Sequence, residues 1–502
     1  MNRDRHLART GVLVRAVLTI VLAGAPLGAQ ITQAEFAARR AAFTSRVNTD
    51  GVYLVFGGAK PKENYENFWQ AQNFRYLTGF LEPGAALIIV RTDGRNHELL
   101  FVEPKDPTQE VWTGERLGLK GVTTLGMEGR DASTLRAVLD SALAGGVPLF
   151  AVGDFSRTGG ADVPAPATPR TIDDQILDGI KSRHREMKVV DATRDVMALR
   201  GKKSPAELAL IRMAATVSAA AHKEVLGGIA PGMNEFEVQA LAEYTFRRNG
   251  GDRPSYGSIV GSGPNSTTLH YNRDDRYMNA GEVLNMDMAT YYGGYSADVT
   301  RTVPVSGKFS PEQRAVYQVV LDAQTSAERQ IKAGRAFKPL NDSALFVLKN
   351  GLTRLGLIES PDATYEENGR KVPQYRLYYM HGLGHPIGLD VHDVDVYTTG
   401  AMAEGSAFTI EPGIYVRANT VEIIPDSPAN AAYRAKLAPA VKKYGNIGVR
   451  IEDDYVVTES GFDRISADAP REMVAIEREM ARRSGPAARD SATVNAYRKI
   501  RP

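Results

Sequence analysis

Apolar and polar positions along this chain alternate with two periods, and the places where one gives way to the other divide it. After residue 30, ITQAEFAARRAAFTSRV sets Phe36, Ala37, Arg40 and Phe43 at spacings that suit one face of a helix. GVYLVFGG, GAALIIVRT and HELLFVEP follow as short β-branched and aromatic runs bounded by Gly, Asp and Asn, the pattern of buried strands. Helical windows alternate with them, among them DASTLRAVLDSALAG with Asp131 as its expected N-cap. The alternation predicts an α/β domain over residues 30–197, with the proline-rich ADVPAPATPR (161–170) as a surface loop inside it.

A boundary is expected near ALRGKKSPAELALIRMAATVSAAAHKEVL, where Ser204, Pro205 and Glu207 spell a capped helix start before an alanine-rich helix former. A second helix follows in NEFEVQALAEYTFRRNGG, closed by Gly250 and Gly251. From there to about residue 466 the pattern is strands and turns, interrupted by helices such as PEQRAVYQVVLDAQTSAERQI. The reading is a second domain over 198–480 and a mobile tail over 481–502, where ARRSGPAARDSATVNAYRKIRP loses its periodicity.

Composition narrows the partners. A length of 502 residues suits two or three domain-sized units. The net charge of +2, with acids and bases interspersed, argues against a nucleic-acid binder and for a peptide or small-molecule partner. Arg3, Arg5, His6 and Arg9 precede the apolar run AVLTIVLAGA and a small-residue cut site after Ala29, so residues 1–29 read as a secretory signal peptide and the protein as exported. That run is about half of the ~20 residues a spanning helix needs, so no stable membrane insertion is expected after cleavage. The absence of cysteine excludes a disulfide framework. Whether the chain forms a homo-oligomer is left open.

The candidate chemistry starts in HGLGHPIGLDVHD (381–393), which gathers three of the eight histidines beside two carboxylates. The HxxxH spacing of His381 and His385 suggests a zinc-protease helix, but Gly382, Gly384, Pro386 and Gly388 make a poor helix and the glutamate of HExxH is missing. Acids elsewhere answer these histidines. VLNMDMATYYGGYSADVTRTVPV reads as a hairpin around Gly293-Gly294. A two-residue loop sets Tyr292 opposite Tyr295 and Asp287 opposite Thr300, so Asp287 and Asp298 share one face as diagonal neighbours. Two such carboxylates repel unless a cation is shared. Glu411 in AFTIEPGIYV and Glu452 in GNIGVRIEDDYVVT are charges in otherwise apolar strand-like runs. Singly, each acid reads as a salt bridge, a solvent-facing position or a cap. Together with the histidines they suit a carboxylate-rich site for Mn²⁺, with Zn²⁺ or Co²⁺ as alternatives.

On these residues the chain resembles the pita-bread metallopeptidase family, in its aminopeptidase P and proline dipeptidase branch. HGLGHPIGLDVHD resembles that branch's signature, and Asp287, Asp298, His385, Glu411 and Glu452 match the family's five metal ligands in order and approximate spacing. NFRYLTGFLEPGAALIIV and EVWTGERLG look like the non-catalytic N-terminal domain of aminopeptidase P. The resemblance implies an N-terminal α/β domain, a C-terminal pita-bread catalytic domain, an α/β (α+β) class overall, and two divalent ions bridged by Asp298 and Glu452. It implies that Glu411 also moves the proton, that His381, His392 and His270 are active-site groups near substrate, and that Arg450 lies beside the second bridging acid. The expected reaction is release of the N-terminal residue from peptides with proline second. A proline dipeptidase, a non-catalytic binding protein and a metal-free hydrolase on the same fold are the alternatives. Two segments, around ESPDATYEENGRKVPQYR and between Glu411 and Glu452, look longer than usual and bear on specificity or subunit contacts.

Overall fold

Six strands make the N-terminal sheet: β1 (Gly51–Phe56), β2 (Ala86–Thr92), β3 (Arg95–Val102), β4 (Glu128–Asp131), β5 (Leu149–Val152) and β6 (Val189–Asp191), in the order β4-β3-β2-β1-β5-β6. β1 is buried along its whole length because both of its faces are covered. Val52, Leu54 and Phe56 enter one apolar cluster and Tyr53 and Val55 another, the period-two alternation of a strand between two layers. The computed structural model describes residues 30–155, 170–394 and 400–482. The expected signal segment, nearly all of ADVPAPATPR and the tail beyond 482 lie outside the described residues, and no described helix is long and apolar enough to cross a membrane.

The first expected helix runs Gln33–Val47 and buries Phe36, Arg40 and Phe43. Asp131 accepts from Ser133 N, but it opens a 3₁₀ turn (Ala132–Thr134); the helix itself begins at Leu135 without a side-chain cap, one turn later than expected. The helix Thr193–Arg200 runs across residue 197, so the chain turns toward the second half after Arg200. There Ser204 and Glu207 form a complete capping box ahead of the long helix Pro205–Gly228.

Two helix pairs, Pro205–Gly228 with Glu235–Arg248 and Pro311–Glu328 with Lys338–Arg354, support the second half. Its strands are short: β7 (Arg253–Pro254), β8 (Ile259–Ser262), β9 (Val283–Asp287), β10 (Thr290–Tyr292), β11 (Tyr295–Ser296), β12 (Thr300–Pro304), β13 (Thr364–Glu367), β14 (Arg370–Pro373), β15 (Ala407–Ile410), β16 (Gly413–Val416), β17 (Ile447–Arg450), β18 (Asp453–Val457) and β19 (Phe462–Arg464). One large apolar cluster joins the helices to them. The two segments expected to be long meet: the β13-β14 hairpin is held by Asn430, whose amide donates to Glu366 O and accepts from Glu366 N, and Tyr433 donates to Leu357 O. They pack as one unit.

The two halves share core. The apolar cluster containing Tyr53, Phe74 and Leu87 of the first half continues into Leu210, Tyr295, Ile387, Leu389, Ala407 and Val456 of the second.

Candidate metal centre

Gly293 and Gly294 adopt φ of 56° and 85°, the positive values a tight two-residue turn requires, and the register follows as expected: Tyr292 faces Tyr295 and Asp287 faces Thr300. Between these pairs both strands are interrupted, and Asp298 lies in the gap between β11 and β12. Glu411 occupies the gap between β15 and β16, and Glu452 the gap between β17 and β18. The sequence pattern places these two acids inside strands. The structure corrects that, because a buried apolar run continues on both sides of each gap and hides it. The breaks matter physically: where the ladder opens, carboxylates from three separate ribbons converge without a strand between them.

The freed backbone groups, and the carboxylates themselves, are held by residues that the sequence pattern does not single out. His222, fully buried on the helix Pro205–Gly228, directs Nε2 at the carbonyls of Met288 and Val299, both at 3.1 Å, and burial holds its pKa down to about 4, so it is a neutral donor. Asp454 accepts the backbone N–H of Asp298 on both oxygens. Tyr256 places its hydroxyl 2.5 Å from Asp287 Oδ1 and 2.6 Å from Asp298 Oδ1. Thr300 Oγ1 donates to Glu452 Oε2 at 2.6 Å. A lone tyrosine, threonine or histidine in an apolar run carries no local signal, so none of these was legible.

HGLGHPIGLDVHD is not helical, which closes the zinc-helix reading. Gly384 lies so close to β15 that an added Cβ would stand 2.0 Å from Thr409 O, whereas Gly382 meets nothing, so backbone crowding explains the first glycine and not the second. His385 donates Nδ1–H to Pro386 O at 3.1 Å. In the neutral ring that leaves Nε2 as the lone-pair nitrogen a metal would take, and it points at Asp298 Oδ2 (3.4 Å) and Glu411 Oε1 (3.7 Å), which hold a proton there when no metal does. His381 is used differently: Nδ1–H donates to Gly382 O, and Nε2 accepts from Tyr415 OH, which in turn accepts from Arg450 Nη1. Arg450 Nη2 donates to Asp287 Oδ2 at 2.7 Å.

Asp287, Asp298, His385, Glu411, Glu452, His270, His381, His392 and Arg450 all line one cavity of about 310 Å³. Within it, ligand-capable atoms of Asp287, Asp298 and Glu452 lie within 4.8 Å of one another, as do those of His385, Glu411 and Glu452, and those of Asp298, His385 and His392. The protein leaves most of this charge uncompensated. Burial and the neighbouring acids push Glu452 well above the usual carboxylate range, and burial followed by Asp287 raises Asp298. Burial raises Asp287 too, but Arg450, the Tyr256 hydroxyl and a hydrogen bond shared with Asp298 together outweigh it and hold that carboxyl below its ordinary value. Burial opposes the charged form of His385, yet Asp298 and Glu411 prevail and raise it to about 9. Four acids and one oriented imidazole nitrogen, with a single arginine offsetting part of their charge, make a donor set that fits two divalent cations: carboxylate-rich, with shared acids between the two groups.

Comparison with known proteins gives the same answer. The chain matches the profile of metallopeptidase family M24 over residues 209–459 and that of the aminopeptidase P N-terminal domain over 36–145. It is 32% identical to a Xaa-Pro aminopeptidase of Escherichia coli over 464 residues, covering 89% of this chain and 98% of that one, and 32% identical to the Haemophilus influenzae Xaa-Pro aminopeptidase over 457 residues, covering 89% and 97%. The structure of E. coli aminopeptidase P with the inhibitor Pro-Leu superposes with a TM-score of 0.75 at 29% identity, covering 90% of this chain and 99% of that one; a zinc-substituted form in complex with product matches equally. Fold, cavity and sequence therefore agree, and the chain belongs to metallopeptidase family M24, with the N-terminal domain of the aminopeptidase P branch.

Proposed function

We propose that the protein is a metal-dependent Xaa-Pro aminopeptidase, a hydrolase that removes the N-terminal residue from peptides with proline in the second position. The observation that carries this is the cavity itself, in which five metal-ligand candidates and three further histidines face one space in a chain matching Xaa-Pro aminopeptidases over most of its length. Asp287, Asp298 and Glu452 would hold one divalent ion, and His385, Glu411 and the shared acids the other. Mn²⁺ is the assigned metal on the carboxylate-rich donor set, with Zn²⁺ and Co²⁺ as alternatives. When bound, the ions supply Lewis-acid polarisation of the scissile carbonyl and make the attacking water more acidic.

The chain's own residues do the rest. Glu411 takes the proton of the attacking water and passes it to the proline nitrogen as the bond breaks. His392 and His270 line the cavity from separate loops and are the donors assigned to the developing oxyanion and the substrate carbonyl. His381 is assigned through its chain to Tyr415 and Arg450: with both ring nitrogens engaged it orients Arg450, and Arg450 orients Asp287. Residues 30–197 are assigned to the N-terminal domain and 198–480 to the catalytic domain, with export following cleavage after Ala29; the N-terminal mass of the mature protein tests the cut.

A tripeptide and a dipeptide, Arg-Pro-Pro and Arg-Pro, distinguish the two peptidase readings after loading with each metal in turn. Cleavage of the tripeptide is expected. Cleavage of the dipeptide alone would make the protein a dipeptidase, and no cleavage of any Xaa-Pro peptide would sink both readings.

A further inference from the structure

Beside the cavity, where the two halves meet, lies a second group of buried charges that the reaction does not use. Arg200 ends the helix Thr193–Arg200, Lys203 follows in the linker, and both are buried. Arg200 Nη2 donates to Asp390 Oδ2 at 2.6 Å and to Asp393 Oδ1 at 2.5 Å. Lys203 Nζ donates to Asp393 Oδ2 at 2.7 Å and to Arg200 O at 2.7 Å. Arg200 Nη1 reaches back to Asn73 Oδ1, at 2.7 Å, on the helix Gln72–Thr78 of the N-terminal half.

Asp390 belongs to, and Asp393 directly follows, the loop that carries the chain from His385 to His392. Its backbone folds on itself, Asp393 N donating to Pro386 O and Gly388 N to Asp390 O, and it is stitched to β15 by Ile387 N to Ala407 O and to β11 by Ser296 N to Gly388 O. A Cβ on Gly388 would stand 1.9 Å from Asp393 Oδ2 and 2.8 Å from Lys203 Cε, so the ion cluster occupies the space a side chain there would need. Ile387 and Leu389 of the same loop are buried in the cluster that contains Tyr53 and Phe74 of the N-terminal half. The loop is thus gripped by polar contacts from the linker and by apolar contacts from the N-terminal core.

We propose that Arg200 and Lys203 are positioning residues for the peptidase reaction: through Asp393 and Asp390 they fix the loop between His385 and His392, and so make the N-terminal domain and its linker part of what aligns the active-site histidines. A buried ion cluster is weak evidence of stability, because desolvation offsets most of its Coulombic gain; what it supplies is a defined geometry. His392 is bonded to the residue the cluster holds, and a displacement of about 1 Å at a catalytic donor costs on the order of a hundredfold in rate. The inference rests on the peptidase reading.

The test uses the metal-loaded full chain and compares Lys203→Met, Lys203→Arg and Asp390→Asn with wild type on an Xaa-Pro tripeptide, reading kcat, KM, metal content and melting temperature. Lys203→Met is expected to lower kcat between about tenfold and a hundredfold while KM and metal content stay within about twofold, and Lys203→Arg is expected to recover most of the loss. Asp390 is half exposed, so Asp390→Asn folds even if Lys203→Met does not; it is expected to lower kcat severalfold. Unchanged kcat in either folded variant, or a fall in kcat that follows lost metal, would overturn the proposal. An inactive wild type would overturn the peptidase reading instead.

Discussion

Glu452 and Asp453 are neighbours in the chain, carry the same kind of charge and are almost wholly buried, yet their surroundings are opposite. Asp453 enters β18 facing away from the cavity and meets Arg301 at 2.6 Å, Arg464 at 3.3 Å and Arg471 at 3.4 Å, with Ser466 donating as well. Burial alone would raise its pKa, but the arginines outweigh burial and hold it below its ordinary value. Glu452 faces the cavity among Asp287, Asp298 and Glu411, whose charges together with burial outweigh Arg450, and is pushed up. A buried carboxylate is costly unless something neutralises it. Here one residue is neutralised by the protein and the next is left for an ion, and that difference separates structural charge from functional charge in a region dense with both.

The largest effect expected from this comparison is on the functional side. Asp298→Ala removes a carboxylate that reaches two of the three ligand groups, so activity should fall by at least about a thousandfold, several kcal/mol of lost transition-state stabilisation, and metal content should drop. The metal-free variant should be no less stable than metal-free wild type, since the change relieves repulsion. Asp453→Ala should do the reverse. It strands Arg301 without its carboxylate, leaves Arg471 relying on Glu328, and should cost about 3–5 kcal/mol in urea unfolding, with metal stoichiometry intact in whatever fraction folds. Were Asp298→Ala to destabilise the metal-free chain as much as Asp453→Ala, the division between the two kinds of acid would fail.

The sequence carried half of this comparison. The parity that puts Asp287 and Asp298 on one face was legible because Gly293-Gly294 fixes the register within a single hairpin. The overall architecture, and the set of residues that gathers round the cavity, were legible through the motifs of a family. Which acid the protein neutralises for itself was not, because the deciding contacts join residues such as Arg301 and Asp453 that are far apart in the chain. Nor were the strand gaps that hold Asp298, Glu411 and Glu452, since hydrophobic pattern reports burial and the chain is buried on both sides of each gap. His222 shows the same limit from the other direction: a histidine in an alanine-rich helix gives no sign that it holds open carbonyls beneath a metal hairpin.

Asp274 supplies a third way to neutralise a buried acid and the smallest effect. It is 1% exposed, its Oδ1 accepts from Val260 N, and its Oδ2 has no hydrogen-bond partner among the described residues. Among the described residues it makes no salt bridge; Glu235, Glu243 and Asp275 face it, and burial first and those acids after it push it up to about 7. A proton is what remains. The unfolded chain releases that proton near pH 3.8 whereas the folded chain keeps it to about 7, so the stabilisation is complete below 3.8 and is lost as pH rises through that window. Asp274→Asn keeps an acceptor for Val260, replaces the protonated oxygen with an amide, and suits the positive φ of 46° at this position. Urea unfolding from pH 4.5 to 8 should therefore show the variant losing less stability than wild type across the range, with the gap opening toward pH 7. Parallel curves would mean that Asp274 is ionised in the folded chain, and that the protein tolerates a buried carboxylate with neither an arginine, a metal nor a proton to balance it.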